Sequence, residues 1–174
     1  VAVTGGALLK ALPRAATDRN VHDVRKRLKK ARASLRLMRR AMGSALYREL
    51  NGRLRDAARP FAAARDAKVL LETLEALASR LRGAERAPIT RAVKRALIEE
   101  RERIRGEALS GPARKSSRKL VAGARSRAVR SAKDAVDWKV IGSGLKRVYR
   151  NGQAALRRAH DLPTVEGLHE WRKQ

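Results

Sequence analysis

From Val21 onward, apolar residues recur at spacings of three and four: Val21, Val24, Leu28, Ala31, Leu35, Met38 and Met42. An α-helix with one buried edge puts such a set on one line, so this run constrains the fold more than any other feature. The rest of the chain agrees. Ala, Leu, Arg, Lys and Glu dominate nearly every segment, aromatic residues make up 3% of the chain, and β-branched residues are sparse. That mixture favours helices over a pleated surface. An all-α protein is expected, and 174 residues suffice for one sizeable domain with a real core.

Punctuation divides the chain into helices. Leu8, Leu9 and Leu12 form a short apolar opening, and Thr17 and Asp18 are plausible N-caps for a helix over 19–43 that Gly43 ends. A second helix, 44–58, is expected to stop near Pro60, which lacks the backbone donor a helix needs. A third, 61–82, would bury Phe61, Val69, Leu70, Leu74, Leu77 and Leu81. Pro88 opens a fourth, 88–109, with Ile89, Val93, Leu97, Ile104 and Ala108 inward and Arg91, Lys94, Arg95, Arg101 and Arg105 more exposed. Gly111 and Pro112 interrupt the chain, and 113–134 reads as a weak, alanine-rich helix. Asp137 caps a helix over 138–160 with a broken apolar stripe of Val140, Ile141, Leu145, Val148 and Leu156, weakened by Gly142, Gly144 and Gly152. Pro163 and Thr164 announce a last helix. Short connections imply antiparallel neighbours and a bundle.

Charge narrows the function. Lys and Arg total 43 against 17 Asp and Glu, a net charge of +26. Self-repulsion on that scale opposes compaction and is most simply relieved by a polyanionic partner: nucleic acid, inorganic polyphosphate or an anionic surface. Arginine outnumbers lysine 31 to 12, and its guanidinium fork grips phosphate oxygens in a bidentate way. At about 100° per residue, His22, Arg25, Lys26, Lys29, Arg36 and Arg40 fall within one arc well away from the apolar seam. Rows of like charge repel unless something anionic lies among them. A second basic set, Lys146, Arg147, Arg150 and Arg157, follows later in the chain. The chain has no cysteine, no apolar run near the roughly 20 residues of a membrane span and no signal-peptide core, which fits a cytoplasmic protein.

One hexapeptide occurs twice. Val21-His22-Asp23-Val24-Arg25-Lys26 returns as Leu168-His169-Glu170-Trp171-Arg172-Lys173, in a chain with three histidines. On a helix, His and the residues three and four places later share a face, so each copy aims three nitrogen-bearing side chains the same way. His160 stands outside the repeat, and a lone helical histidine is usually structural. Convergent catalytic groups are missing. No P-loop, nucleophile elbow or His-Glu-x-x-His pattern occurs, and Asp66, Asp134 and Asp137 are isolated acids, so neither an enzyme, a metal site nor a cofactor is expected.

The opening motif Val21 to Lys30 with Leu35, Arg36 and Leu37, the run Arg65-Asp66-Ala67-Lys68-Val69-Leu70, the run Lys146-Arg147-Val148-Tyr149-Arg150 and the second His motif together resemble the CHAD domain, the conserved histidine α-helical domain. The resemblance covers nearly the whole chain. It implies two four-helix bundles related by a pseudo-twofold axis, the first over about 1–110 and the start of the second over about 112–174. The sequence stops within the second His helix and so reads as a fragment with that bundle truncated. It further implies a module that binds inorganic polyphosphate on basic faces around a central cavity, associates with polyphosphate granules and is fused to or partnered with CYTH-type triphosphatases. His22, Arg25, Lys26, Lys29, Arg36, His169, Arg172 and Lys173 would face the ligand. The basic stripes of the residues themselves extend that set to Arg40, Lys146, Arg147, Arg150 and Arg157. An imidazole beside a polyanion takes up a proton more readily, so binding should tighten below about pH 7.

Charge alone equally supports a rival, a nucleic-acid protein held by phosphate contacts. Base stacking is disfavoured because Tyr47, Phe61, Trp138, Tyr149 and Trp171 are scattered and mostly fall on expected core positions. A third reading, an adaptor on a granule or membrane surface, requires an exposed apolar face, and the bundle is expected to leave none.

Overall fold

The computed structural model describes residues 2–12, 17–80, 86–131 and 137–172, with backbone alone at 2–5 and 86–89. Eight helices and no strand occur among them: α1 (Ala2–Ala11), α2 (Asp18–Leu37), α3 (Arg39–Met42), α4 (Ser44–Arg80), α5 (Arg86–Ala108), α6 (Gly111–Ser131), α7 (Trp138–Asp161) and α8 (Val165–Arg172). The all-α expectation is met.

The core grows from the seam on α2. Val21, Val24, Leu28, Ala31 and Leu35 are all buried, and Thr17 caps the helix by accepting a hydrogen bond from the Asn20 amide at 3.2 Å. They pack with Leu8 and Leu12 at the first helix, Leu50, Leu54, Ala57 and Phe61 of α4, and Val121 and Ala124 of α6. Residues of α6 therefore share one core with α1, α2 and α4. Gly111 and Pro112 do not merely interrupt the chain: they form the first turn of α6, where a proline's missing donor costs nothing.

Pro60 does not mark a turn. The expected helices 44–58 and 61–82 are one continuous helix, α4, with Pro60 inside it. A mid-helix proline costs about 3 kcal/mol through its missing hydrogen bond and ring clash. Leu50, Leu54, Ala57 and Phe61 form one buried line that runs through the proline, and fully burying each large side chain returns about 1.5–3 kcal/mol. The Arg25 guanidinium also donates from Nη1 to the Phe61 carbonyl at 3.1 Å, tying α2 to α4 one residue past the proline.

Beyond Phe61 the expected burial fails in several places. Val69, Leu70 and Leu77 of α4, Val93 of α5, and Leu145 and Leu156 of α7 are exposed, while Leu74, Leu97 and Ile104 are half-buried and Ala108 is buried. Arg101, expected outside, is half-buried. Helical periodicity locates an apolar stripe but not its cover: α5 lies along α4, yet Val69, Leu70 and Leu77 of α4 stay exposed. Leu81, Asp134 and the Ile89 side chain lie outside the described residues.

The helix expected over 19–43 breaks at Met38, and Gly43, at φ 79°, ends α3 in the conformation that glycine tolerates best. The break is where α7 crosses. Asp137 accepts from the Lys139 amide at the start of α7 as expected. Gly144, buried mid-helix, lies so close to α2 that a Cβ there would sit 2.0 Å from the Leu37 carbonyl oxygen. The glycine that weakens α7 as an isolated helix is what lets it dock. Thr164 then accepts from the Gly167 amide at 3.0 Å and starts α8, which packs on α7.

Candidate functional site

Burial of the α2 seam turns the opposite edge of that helix outward. His22, Lys26, Lys29 and Arg36 are exposed, and Arg25 is half-buried by its bond to Phe61. Lys26 and Lys29 have no carboxylate partner among the described residues. From His22 to Arg36 the edge runs about 21 Å at 1.5 Å per residue. Arg40 is exposed on α3, beyond the break. Asp18, one turn before His22, falls on the same edge, so the stripe is purely basic only from His22 onward.

His22 lies in a groove between α2 and α4 lined by Asp18, Arg19, Val21, His22, Ala64, Arg65, Lys68 and Glu72. Its charged groups are linked. Arg65 Nη1 contacts Glu72 Oε2 at 3.3 Å, Lys68 Nζ lies 3.6 Å from Glu72 Oε1 and 3.3 Å from Asp18 Oδ2, and Arg101 Nη2 of α5 reaches the same Asp18 oxygen at 3.3 Å. Burial pushes the Asp18 carboxyl up, but the Lys68 hydrogen bond and the charges of Lys68, Arg101 and Arg105 outweigh it and hold it below the ordinary carboxylate value. A depressed carboxyl contributes stability that is present above its unfolded value and lost as pH falls through its folded value. Thermal stability should therefore drop below about pH 4, and Asp18→Asn should flatten that acid limb in melting curves recorded between pH 6 and pH 3. An equally steep limb in the variant would contradict the linkage.

Arg65, Lys68 and Arg101 were not among the expected ligand residues. Arg65 and Lys68 are three apart on one helix face and carry a legible signal of their own. Arg101 is 83 positions from Asp18, and only the packing of α5 reveals it.

The later basic residues divide. Arg147 Nη2 donates to the Arg36 carbonyl, joining α7 to the end of α2. Lys146, Arg150 and Arg157 are exposed, and at about 100° per residue they lie 120–160° around α7 from the docked Gly144. In the second motif Arg172 Nη2 approaches His169 Nδ1 at 3.5 Å, as residues three apart on a helix face should. Both are exposed, and Lys173 lies outside the described residues. His160 is exposed beside Asp161, at 3.7 Å, and is no core histidine. The structure thus brings His22 into one groove with Arg65 and Lys68, leaves Lys26 and Lys29 exposed further along α2, ties Arg25 to the Phe61 carbonyl, and joins Arg36 to Arg147. The second His motif lies on α8, which packs on α7, and the groove at His22 is lined by residues of α2 and α4.

Two expectations about apolar surface are overturned. Of the five aromatic residues, Phe61 is buried and Tyr47 is half-buried under Arg39, whereas Trp138, Tyr149 and Trp171 are exposed. Trp138, Leu145, Tyr149 and Leu156 fall on one line of α7, and Val165, Leu168 and Trp171 of α8 are exposed as well. An uncovered apolar face is therefore present, because α7 docks through its small residues Gly144, Ala155 and Ala159 and leaves its large ones outward.

Among the described residues no group of three or more His, Cys, Asp or Glu side chains is placed to hold a metal ion, and no helix is long and apolar enough to cross a membrane. No curated protein and no solved structure matches the chain. The family model of the CHAD domain matches over residues 6–174. With nearly its whole length covered by that match, the chain belongs to the CHAD-domain family.

Proposed function

We propose that this chain is a binding module for inorganic polyphosphate, with the outward edge of α2 as its principal contact. One observation carries the reading: His22, Lys26, Lys29 and Arg36 stand exposed along one side of a helix whose other side is locked into the core. A rigid row of cations suits a flexible polyanion, because the protein loses little freedom when the ligand binds. Arg and Lys supply charge, His22 a hydrogen bond, and the second motif at His169, Arg172 and Lys173 a further grip on the same chain. Lys146, Arg147, Arg150 and Arg157 extend the basic surface along α7. The module works in the cytoplasm, on polyphosphate granules. Titration with labelled long-chain polyphosphate tests this: affinity should fall steeply and linearly in log–log form with salt, the mark of counterion release. Binding that is absent, or insensitive to salt, would refute it.

The nucleic-acid alternative gains one supporting observation. Trp138 and Tyr149 are exposed on α7, and each is followed in sequence by a cation, Lys139 and Arg150. Single-strand binding uses such pairing of aromatic platforms with basic side chains.

A further inference from the structure

Beside His22 the charged side chains alternate across three helices: Arg65, Glu72, Lys68, Asp18, Arg101. Consecutive members are 3.3, 3.6, 3.3 and 3.3 Å apart. Arg65 and Lys68 line the groove at His22, and Arg101 joins them through Asp18, so these are the cations that a polyanion entering at His22 would meet next. In the free protein Glu72 is shared between Arg65 and Lys68, and Asp18 between Lys68 and Arg101. We infer that this row is an additional phosphate-binding subsite held shut by its own carboxylates, with Asp18 and Glu72 standing where phosphate oxygens of the ligand would lie.

This inference rests on the polyphosphate reading and adds a regulated element to it. Three features make displacement feasible. Asp18 and Glu72 have side chains that are 41% and 49% exposed, so phosphate can approach. Exposed ion pairs are individually weak. A guanidinium offers a phosphate the same two-pronged geometry that it offers a carboxylate, so exchange keeps its hydrogen bonds. The row sums to one net positive charge while closed; when both carboxylates swing out, Arg65 and Lys68 are released in full, while Arg101 keeps its second pairing, with Glu102 at 3.5 Å. A phosphate chain already anchored on Lys26 and Lys29 presents its next units at high local concentration and can drive that exchange.

The test is the affinity of long-chain polyphosphate for the Asp18→Asn/Glu72→Gln variant, with Glu100→Gln/Glu107→Gln as a control of equal net charge. Glu100 and Glu107 both pair with Arg103 on α5, outside the groove. Removing the competing carboxylates should tighten binding about tenfold, and the control no more than about twofold. In the guard variant, Lys68→Ala should then cost more than it costs in the wild type, because Lys68 is no longer shared with Asp18 and Glu72. Since Asp18 opens α2, the single Glu72→Gln variant, in the middle of α4, serves if the double variant folds poorly, with an expected gain of about threefold. Equal gains in guard and control variants would overturn the inference, as would weaker binding, which would make the carboxylates positioning groups for the cations. A wild type that binds no polyphosphate sinks the parent reading, and the row is then an internal brace.

Discussion

Replacing Gly144 by alanine is expected to lift α7 from the end of α2. The added Cβ would fall 2.0, 2.7 and 2.9 Å from the oxygen, carbon and Cα of Leu37, all backbone atoms that no rotamer change can move. Overpacking of well-packed contacts costs about 1–3 kcal/mol, and with no side chain to yield, the upper end or beyond is expected. The Arg147 bond to the Arg36 carbonyl would be lost with the contact. The core among α1, α2, α4 and α6 does not involve α7, so the loss should be local: amides of α7 and α8 should exchange faster while those around Leu28 and Phe61 keep their protection. Gly152 is the internal comparison. Nothing lies within 4 Å of its missing Cβ, so Gly152→Ala should stabilise α7 by about 0.5–1 kcal/mol through helix propensity alone. If both alanine variants behave alike in hydrogen exchange, the crossing of α7 over α2 is wrong.

The second large effect belongs to Lys26 and Lys29. Both are exposed, and neither has a carboxylate partner among the described residues, so Lys26→Ala/Lys29→Ala should leave stability within about 0.5 kcal/mol of the wild type. Polyphosphate affinity at about 0.1 M salt should fall tenfold or more, and the salt slope should shrink by about 1.4, the loss of two phosphate contacts on a single chain. Arg25 would be a poorer probe, since its guanidinium also holds the Phe61 carbonyl. Unchanged affinity and slope in the double variant would move the principal contact away from α2.

The helical class, the α2 seam, the Thr17 cap and the Asp137 cap were all legible in the sequence, because each rests on residues within one or two turns of one another. So was the partition of α2 into a buried and a basic edge. What escaped was long-range. Pro60 reads as a stop locally, and only the packing of Phe61 and Ala57 against α1, α2 and α6 explains a helix that continues through it. Gly144 reads as a weakness until the Leu37 carbonyl is seen against it. Val69, Leu145 and Tyr149 have the spacing of buried residues, but spacing cannot say whether a neighbour covers them. The candidate site shows the same limit. His22, Arg25, Lys26 and Lys29 follow from one helix and Arg65 and Lys68 from the spacing on another, whereas Arg101 enters through tertiary packing, and the acids threaded between them make the basic stripe less uniform than composition suggests.

The most direct measurement is a competition. Labelled long-chain polyphosphate bound to the wild-type chain is challenged near physiological salt with duplex and single-stranded DNA of equal phosphate content. Retention of polyphosphate against both, with loss of binding in Lys26→Ala/Lys29→Ala, is the predicted result. Ready displacement by either DNA would contradict it and assign the basic faces, with Trp138 and Tyr149 if the single strand is the better competitor, to nucleic acid.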